Sequence, residues 1–345
     1  MKFYSFLLVA LVSILITKTY ASHSYDSKRA DSHGPIMVMG DHTHKTGEIM
    51  LSYRYMQMHM SNLKSGSNSI TMNELFSQGY SIFSNDMDMQ MHMIGAMYAP
   101  SENLTLMGML MYTQKTMNTT MKMHPMGNIE DSMHMAELMK HSMATEGLGD
   151  LSLSLLYHIA DLGYARIHLN LGLSIPSGSQ DKENNGMFLA YPMQLGSGTW
   201  DLLPGITYTA QRKDLSWGAQ LGAKLRNGNE DNYSLSHFGQ IQAWVAKSWL
   251  PSLSTSLKIN NEFWCPTNGE DLRLSMAKMK NPLADGALQG GFRSELGLGI
   301  NYYHQNGTFA GQRIALEYTF PMLEDFDGIQ MARDFSFILG WQYAF

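Results

Sequence analysis

Cysteine is almost absent from this chain. Cys265 is the only one, so no internal disulfide framework exists and stability must come from the pairing of the backbone itself. Charge is scarce as well: Asp, Glu, Lys and Arg make up 16% of 345 residues, with a net charge of -6. That balance argues against a nucleic-acid partner. After the first 21 residues no apolar run approaches the ~18 residues that a transmembrane helix requires. No G-x-S-x-G elbow, H-E-x-x-H helix, phosphate loop or dinucleotide fingerprint is present, so no enzyme is expected.

What is present begins at the carboxy-terminus. Phe335, Phe337, Leu339, Trp341, Tyr343 and Phe345 alternate with Ser336, Ile338, Gly340, Gln342 and Ala344. A period of two puts the large apolar groups on one face of a strand. A final strand with an aromatic face and a terminal Phe is what closes a bacterial outer-membrane barrel against lipid. Phe345 also resembles the sorting signal read by the barrel-assembly machinery. At the other end, Lys2 and the apolar stretch Phe6–Ile16 lead to Thr19-Tyr-Ala21. This predicts a signal peptide over 1–21, a Met/His-containing segment over 22–47 and a barrel over 48–345.

Segments of about ten alternating residues are what cross a bilayer as tilted strands. About twelve can be drawn, near 48–60, 87–98, 103–113, 148–160, 164–176, 199–211, 214–226, 237–249, 252–264, 290–303, 312–321 and 334–345. Tight turns such as Ala99–Glu102 and Asp161–Gly163 alternate with long polar stretches at 61–86, 114–147, 177–198, 265–289 and 322–333. The expected fold is therefore all-β: an antiparallel transmembrane barrel with short periplasmic turns and long external loops, in contact with outer-membrane lipid. Tyr53, Tyr98, Tyr112, Tyr157, Trp249, Trp264, Tyr302 and Tyr303 fall near strand ends as candidate interface girdles.

Gly147-Leu-Gly-Asp-Leu151, leading into a strand, and Gly172-Leu-Ser-Ile-Pro-Ser-Gly-Ser179, closing the next, resemble the barrel family labelled for the meta-pathway of phenol degradation. His33-Gly-Pro-Ile-Met-Val-Met-Gly-Asp-His-Thr-His-Lys-Thr-Gly-Glu48 and Met50-Leu-Ser-Tyr-Arg-Tyr-Met56 look like a Met/His-rich branch of it. The resemblance implies an outer-membrane barrel and, by association, a transporter-like channel for a small apolar permeant. It carries no catalytic residues to this chain.

Methionine is concentrated in one region. Of 30 methionines, 23 lie between Met37 and Met143, and eight of 13 histidines lie between His33 and His141. A bias that stops at one point in the chain is regional rather than general. Met-x-Met repeats place thioethers on one face of each strand. Thioether sulfur suits Cu(I), and imidazole suits copper in either state.

The candidate ligands are Met56, Met58 and Met60, which share a face with Ser52 and Arg54, and Met107, Met109 and Met111, which oppose Leu106 and Leu110; both sets are expected in the lumen. Met121, Met123, His124, Met126, Met133, His134, Met135 and His141 are candidates on a polar external loop. His33, His42 and His44 beside Asp41 offer a mixed N/O site for Cu(II). In 87–93, the polar Asp88, Gln90 and His92 read as lumenal, which turns Met89, Met91 and Met93 towards lipid. Copper handling is thus the alternative to passive permeation. Methionine as flexible apolar filler is the bland reading of the same residues.

Overall fold

The computed structural model describes residues 25–123, 137–231 and 233–345. The expected signal peptide lies outside them. The strands are β1 (Ile49–Gly66), β2 (Ile82–Ser101), β3 (Leu104–Met123), β4 (Glu137–Leu148), β5 (Leu151–Asp161) and β6 (Ala165–Ile175), then β7 (Asp201–Arg212), β8 (Leu215–Lys224), β9 (Phe238–Leu250), β10 (Leu253–Trp264), β11 (Gly291–Tyr303) and β12 (Gln312–Ala344). Every pairing in the barrel is antiparallel, and β12 returns to pair with β1, closing the sheet. β4 and β5 lie end to end along β3 and make one crossing.

β12 is 33 residues long and folds back on itself. Trp341 Nε1 donates to Gln312 Oε1 at 3.1 Å, and Tyr318 stacks on Phe335 at 5.8 Å. In a straight strand those pairs would be tens of ångströms apart at ~3.3 Å per residue. Its first limb pairs with β11 and its second with β1, both reaching Phe326. The described chain thus crosses the barrel twelve times.

Alternation decides which side chain meets lipid. Ile94, Leu106, Leu153, Leu171, Leu257, Leu298 and Leu339 are exposed on the outside, whereas Ser52, Thr105, His168, Thr207, Lys258, Glu295 and Gln342 are buried inside. An outer wall of exposed aliphatic groups is stable only against hydrocarbon. Ile49 and Phe345 exchange backbone hydrogen bonds at 2.9 Å and complete the seam. On the last strand Ser336, Ile338 and Gln342 are buried inward while Leu339 and Phe345 are exposed, as the alternation requires.

Two expectations are corrected. The described residues of the stretches 61–86, 114–147 and 322–333 are largely strand rather than loop: β1 to β4 extend beyond the length needed to cross a bilayer, and 322–333 is the reversal of β12. Trp264 and Tyr303 face the lumen, under the guanidinium groups of Arg293 and Arg313 at 5.3 and 5.0 Å, and are not girdle residues.

Candidate functional site

The lumen has two chemically different arcs. On β1 to β4 the methionines meet across the strands. Met60 faces Met87, Met87 faces Met117, and Met117 faces Met143, making a row of four thioethers. Met50, Met97 and Met107 form a row of three, and Met58–Met89, Met56–Met91 and Met93–Met111 are further opposed pairs. Directly opposed residues hold their Cβ atoms ~5 Å apart on one face, so the period of two along each strand and the register between strands together build a thioether wall.

This places Met56, Met58, Met60, Met107, Met109 and Met111 on the lumen side, as their alternation predicts. The 87–93 stripe is the reverse of expectation. Met87 and Met93 are buried inside, at 1% and 4% exposure, and Met89 packs with them. Asp88 and His92 turn outward, where His59 Nδ1 meets Asp88 Oδ1 at 2.8 Å and Tyr53 Oη meets His92 Nδ1 at 2.7 Å. Both outward polar groups are thus partnered on the outer face, Asp88 by His59 and His92 by Tyr53.

The adjoining arc, on β10 to β12, meets the first at the β12–β1 seam and is ionic. Lys258 Nζ lies 2.6 Å from Glu317 Oε1, with both side chains almost wholly buried. Arg333 pairs with Glu295 at 2.6 Å, and Arg293 with Glu324 at 2.9 Å. Burying these charges requires partners on every side, which the strand register supplies.

Residues 25–48 fill the space between the arcs. The segment has too few apolar residues in sequence to form a core and too little periodicity to form a strand. Its backbone groups are therefore satisfied by the wall. Gly40, at φ +61°, aims its carbonyl at His168 Nε2 (2.9 Å) and Asn170 Nδ2 (3.1 Å). Ser216 Oγ donates to Asp31 O at 2.6 Å, Arg313 donates to Ala30 O at 2.7 Å, and Met37 N donates to Glu317 Oε2 at 2.9 Å. Ile36 sits where Gly340 has no side chain; a Cβ there would lie 2.7 Å from Ile36 Cγ1. Ile36, Met37 and Met39 join Met56, Met93, Met109 and Met111 in one apolar cluster. The segment is thus a plug, tied by its backbone to the polar wall and by its side chains to the thioether wall.

Below the plug lies a cavity of about 1020 Å³, lined by Tyr25, His42, His44, Glu102, Arg166 and Phe345 among others. Both barrel ends of the chain and the short turns are on this side, which is the periplasmic end of a bacterial barrel. Three imidazoles crowd its wall. The rings of His33 and His42 are 3.8 Å apart, and those of His42 and His44 4.8 Å. Asp41 Oδ1 takes a contact of 2.7 Å from His42 Nδ1, and Glu48 Oε2 lies 3.3 Å from His44 Nδ1.

Burial pushes His33 well below its ordinary value, aided by the Arg313 charge. Burial also lowers His44, against the bond from Glu48. Burial alone would raise the Asp41 carboxyl, but His42 and the Gly34 N–H outweigh it and hold the group below the usual range. The bonds from His44 and from Lys45 N–H hold Glu48 at about 2. Burial thus disfavours the charged form of His33 and His44, while the Asp41 and Glu48 carboxylates are held ionised.

At the external end the loops fold inward. Thr71 and Glu74 form a capping box that starts the short helix Met72–Ser77, whose Leu75 is buried with Leu189, Tyr191, Met193, Tyr233, Leu274 and Leu283. Arg273 ties this cap together through Asp271, Asp181 and Asp231, at 2.6 to 2.7 Å. Lys115 Nζ donates to Pro192 O at 2.8 Å. The two motifs read in sequence meet beneath it: Asp150 accepts from Gly178 N at 3.0 Å, and Ser177 Oγ donates to Gly149 O at 3.1 Å.

Of the loop candidates, His124, Met126, Met133, His134 and Met135 lie outside the described residues. Met121 and Met123 end β3, the first half-buried and the second exposed. His141 on β4 meets Asn184 at 3.1 Å, away from the plug's histidines. His42 and His44 are brought together with His33 and Asp41. What the sequence did not disclose was the thioether register between strands and the docking of 25–48 inside the barrel.

A family model described as "Putative MetA-pathway of phenol degradation" matches residues 125–271, so the resemblance carried by the two glycine motifs holds there. No curated protein matches the chain. Among solved structures, the chain is similar to an outer membrane channel from Pseudomonas putida F1, with a TM-score of 0.59, 11% identity and coverage of 90% of this chain and 100% of that one. It is also similar to a Pseudomonas aeruginosa FadL homologue, with a TM-score of 0.46, 10% identity and coverage of 95% and 98%. The chain is a β-barrel of the bacterial outer membrane.

Proposed function

We propose that this barrel is an outer-membrane channel for small molecules, closed at rest by its own amino-terminal plug. The observation that carries the reading is the way residues 25–48 occupy the lumen. They are held there by hydrogen bonds to wall side chains such as His168, Ser216 and Arg313, with no covalent tie. Such contacts are worth only ~1 kcal/mol each net of water, so the plug can leave while the wall stays intact. The similarity to a channel along nearly the whole chain supports the same reading. The permeant is small and apolar, a reading supported by the apolar external cap of Tyr191, Leu274 and Leu283 and by the thioether wall. Liposomes carrying the folded protein should take up small apolar solutes faster than empty liposomes. Equal uptake with correctly folded protein would refute the reading.

A second reading is supported by the opposed methionine rows. They offer a soft cation many thioethers within one wall, and the copper-handling alternative rests on them. A Cu(I) competition titration should give nanomolar binding. Replacing Met56, Met93, Met109 and Met111 by Leu should abolish it while the barrel remains folded. Absent competition would leave those methionines as flexible packing.

A further inference from the structure

We infer that His33, His42 and His44 form a site for a borderline divalent transition cation of the zinc class, reached from the periplasmic cavity. Three observations converge. First, His33 Nδ1, His42 Nε2 and His44 Nε2 are buried and have no hydrogen-bond partner among the described residues. Buried polar atoms are almost always partnered, so three unpartnered ring nitrogens on adjoining imidazoles leave lone pairs open to a ligand. Second, two of those rings have a carboxylate on the other nitrogen: Asp41 at His42 Nδ1 and Glu48 at His44 Nδ1. A carboxylate there fixes the tautomer, orients the ring and leaves Nε2 as a lone-pair donor, which is how metal-ligating histidines are set. Asp41 is itself held by Gly34 N–H at 2.7 Å. Third, His33, Asp41 and His42 present ligand atoms all within 4.8 Å of one another, and all three histidines line the cavity of about 1020 Å³.

Imidazole donors backed by carboxylates suit Zn(II) and its neighbours, whereas the thioether wall suits Cu(I). The two ligand sets are therefore distinct, and this site does not depend on what the channel carries. A cation bound by His33 at one limb and His42 and His44 at the other closes the bend of the plug between residues 33 and 44. By mass action it also stabilises the docked plug relative to the released one.

The test uses the full-length folded barrel, stripped with chelator and titrated with cobalt(II), whose visible absorption reports a four-coordinate nitrogen-rich site; zinc(II) is then added as competitor. One equivalent of cobalt(II) should bind and be displaced by one of zinc(II). His33→Ala, His42→Ala and His44→Ala together should remove the absorption. Asp41→Asn, which keeps an acceptor for Gly34, should weaken affinity 10- to 100-fold. Met93→Leu with Met109→Leu should leave binding unchanged. Folding of each variant is read from the faster migration of unboiled barrel on a denaturing gel. No stoichiometric binding by the folded wild-type protein would overturn the proposal. So would binding that survives loss of all three histidines.

Discussion

The two arcs of the lumen hold the same plug by opposite means. The arc of β10 to β12 uses fixed charges, each held by one or more buried partners such as Lys258–Glu317, Arg293–Glu324 and Arg333–Glu295. The arc of β1 to β4 uses methionines, whose unbranched side chains adapt to what they touch. The ionic arc is therefore specific and intolerant; the thioether arc is adaptable. A plug that must stay docked yet be releasable gains from having both, since one sets its position and the other lets it slide.

Glu317 is where the comparison is most easily broken. It pairs with Lys258 and accepts from Met37 N. Glu317→Ala should strand a buried ammonium and lower barrel stability by about 3–5 kcal/mol, the usual result of removing one partner of a buried pair. A denaturant midpoint unchanged from wild type would show that the ionic arc is not what fixes the wall. Next in size is Gly340→Val, which sets a side chain against Ile36. It should cost about 1–3 kcal/mol of plug docking, read as faster proteolysis within residues 25–48. Ile36→Ala in the same chain should restore part of the loss. The smallest effect belongs to the thioether arc: Met87→Leu, although fully buried, should cost under about 1.5 kcal/mol. A loss as large as that of Glu317→Ala would mean that the methionines are packed as rigidly as the charges are paired.

The barrel was legible in the sequence because alternation, tight turns and an aromatic last strand all report the same lipid boundary. The lumen facing of Met56–Met60 and Met107–Met111 followed from their aliphatic neighbours. The 87–93 stripe misled because Asp88 and His92, although polar, face outward and find partners there in His59 and Tyr53. The reversal between 312–321 and 334–345 was read as a long loop over 322–333, although Asp327-Gly328 marks a tight turn between two alternating runs. The plug had no periodic signal at all. Its position is set by wall residues such as His168 and Ser216, far away in sequence, and single-chain pattern reading does not see such pairings. The nearness of His42 and His44 was legible from spacing; their meeting with His33 needed the bend at Gly40.

The most direct test of the account is single-channel conductance in planar bilayers of the whole protein and of one lacking residues 25–44. The whole protein should show brief, rare openings and the shortened one steady conductance, since the plug residues Ile36 and Gly40 occupy the lumen at Gly340 and His168. Equal conductance from the two, with both barrels folded, would contradict it.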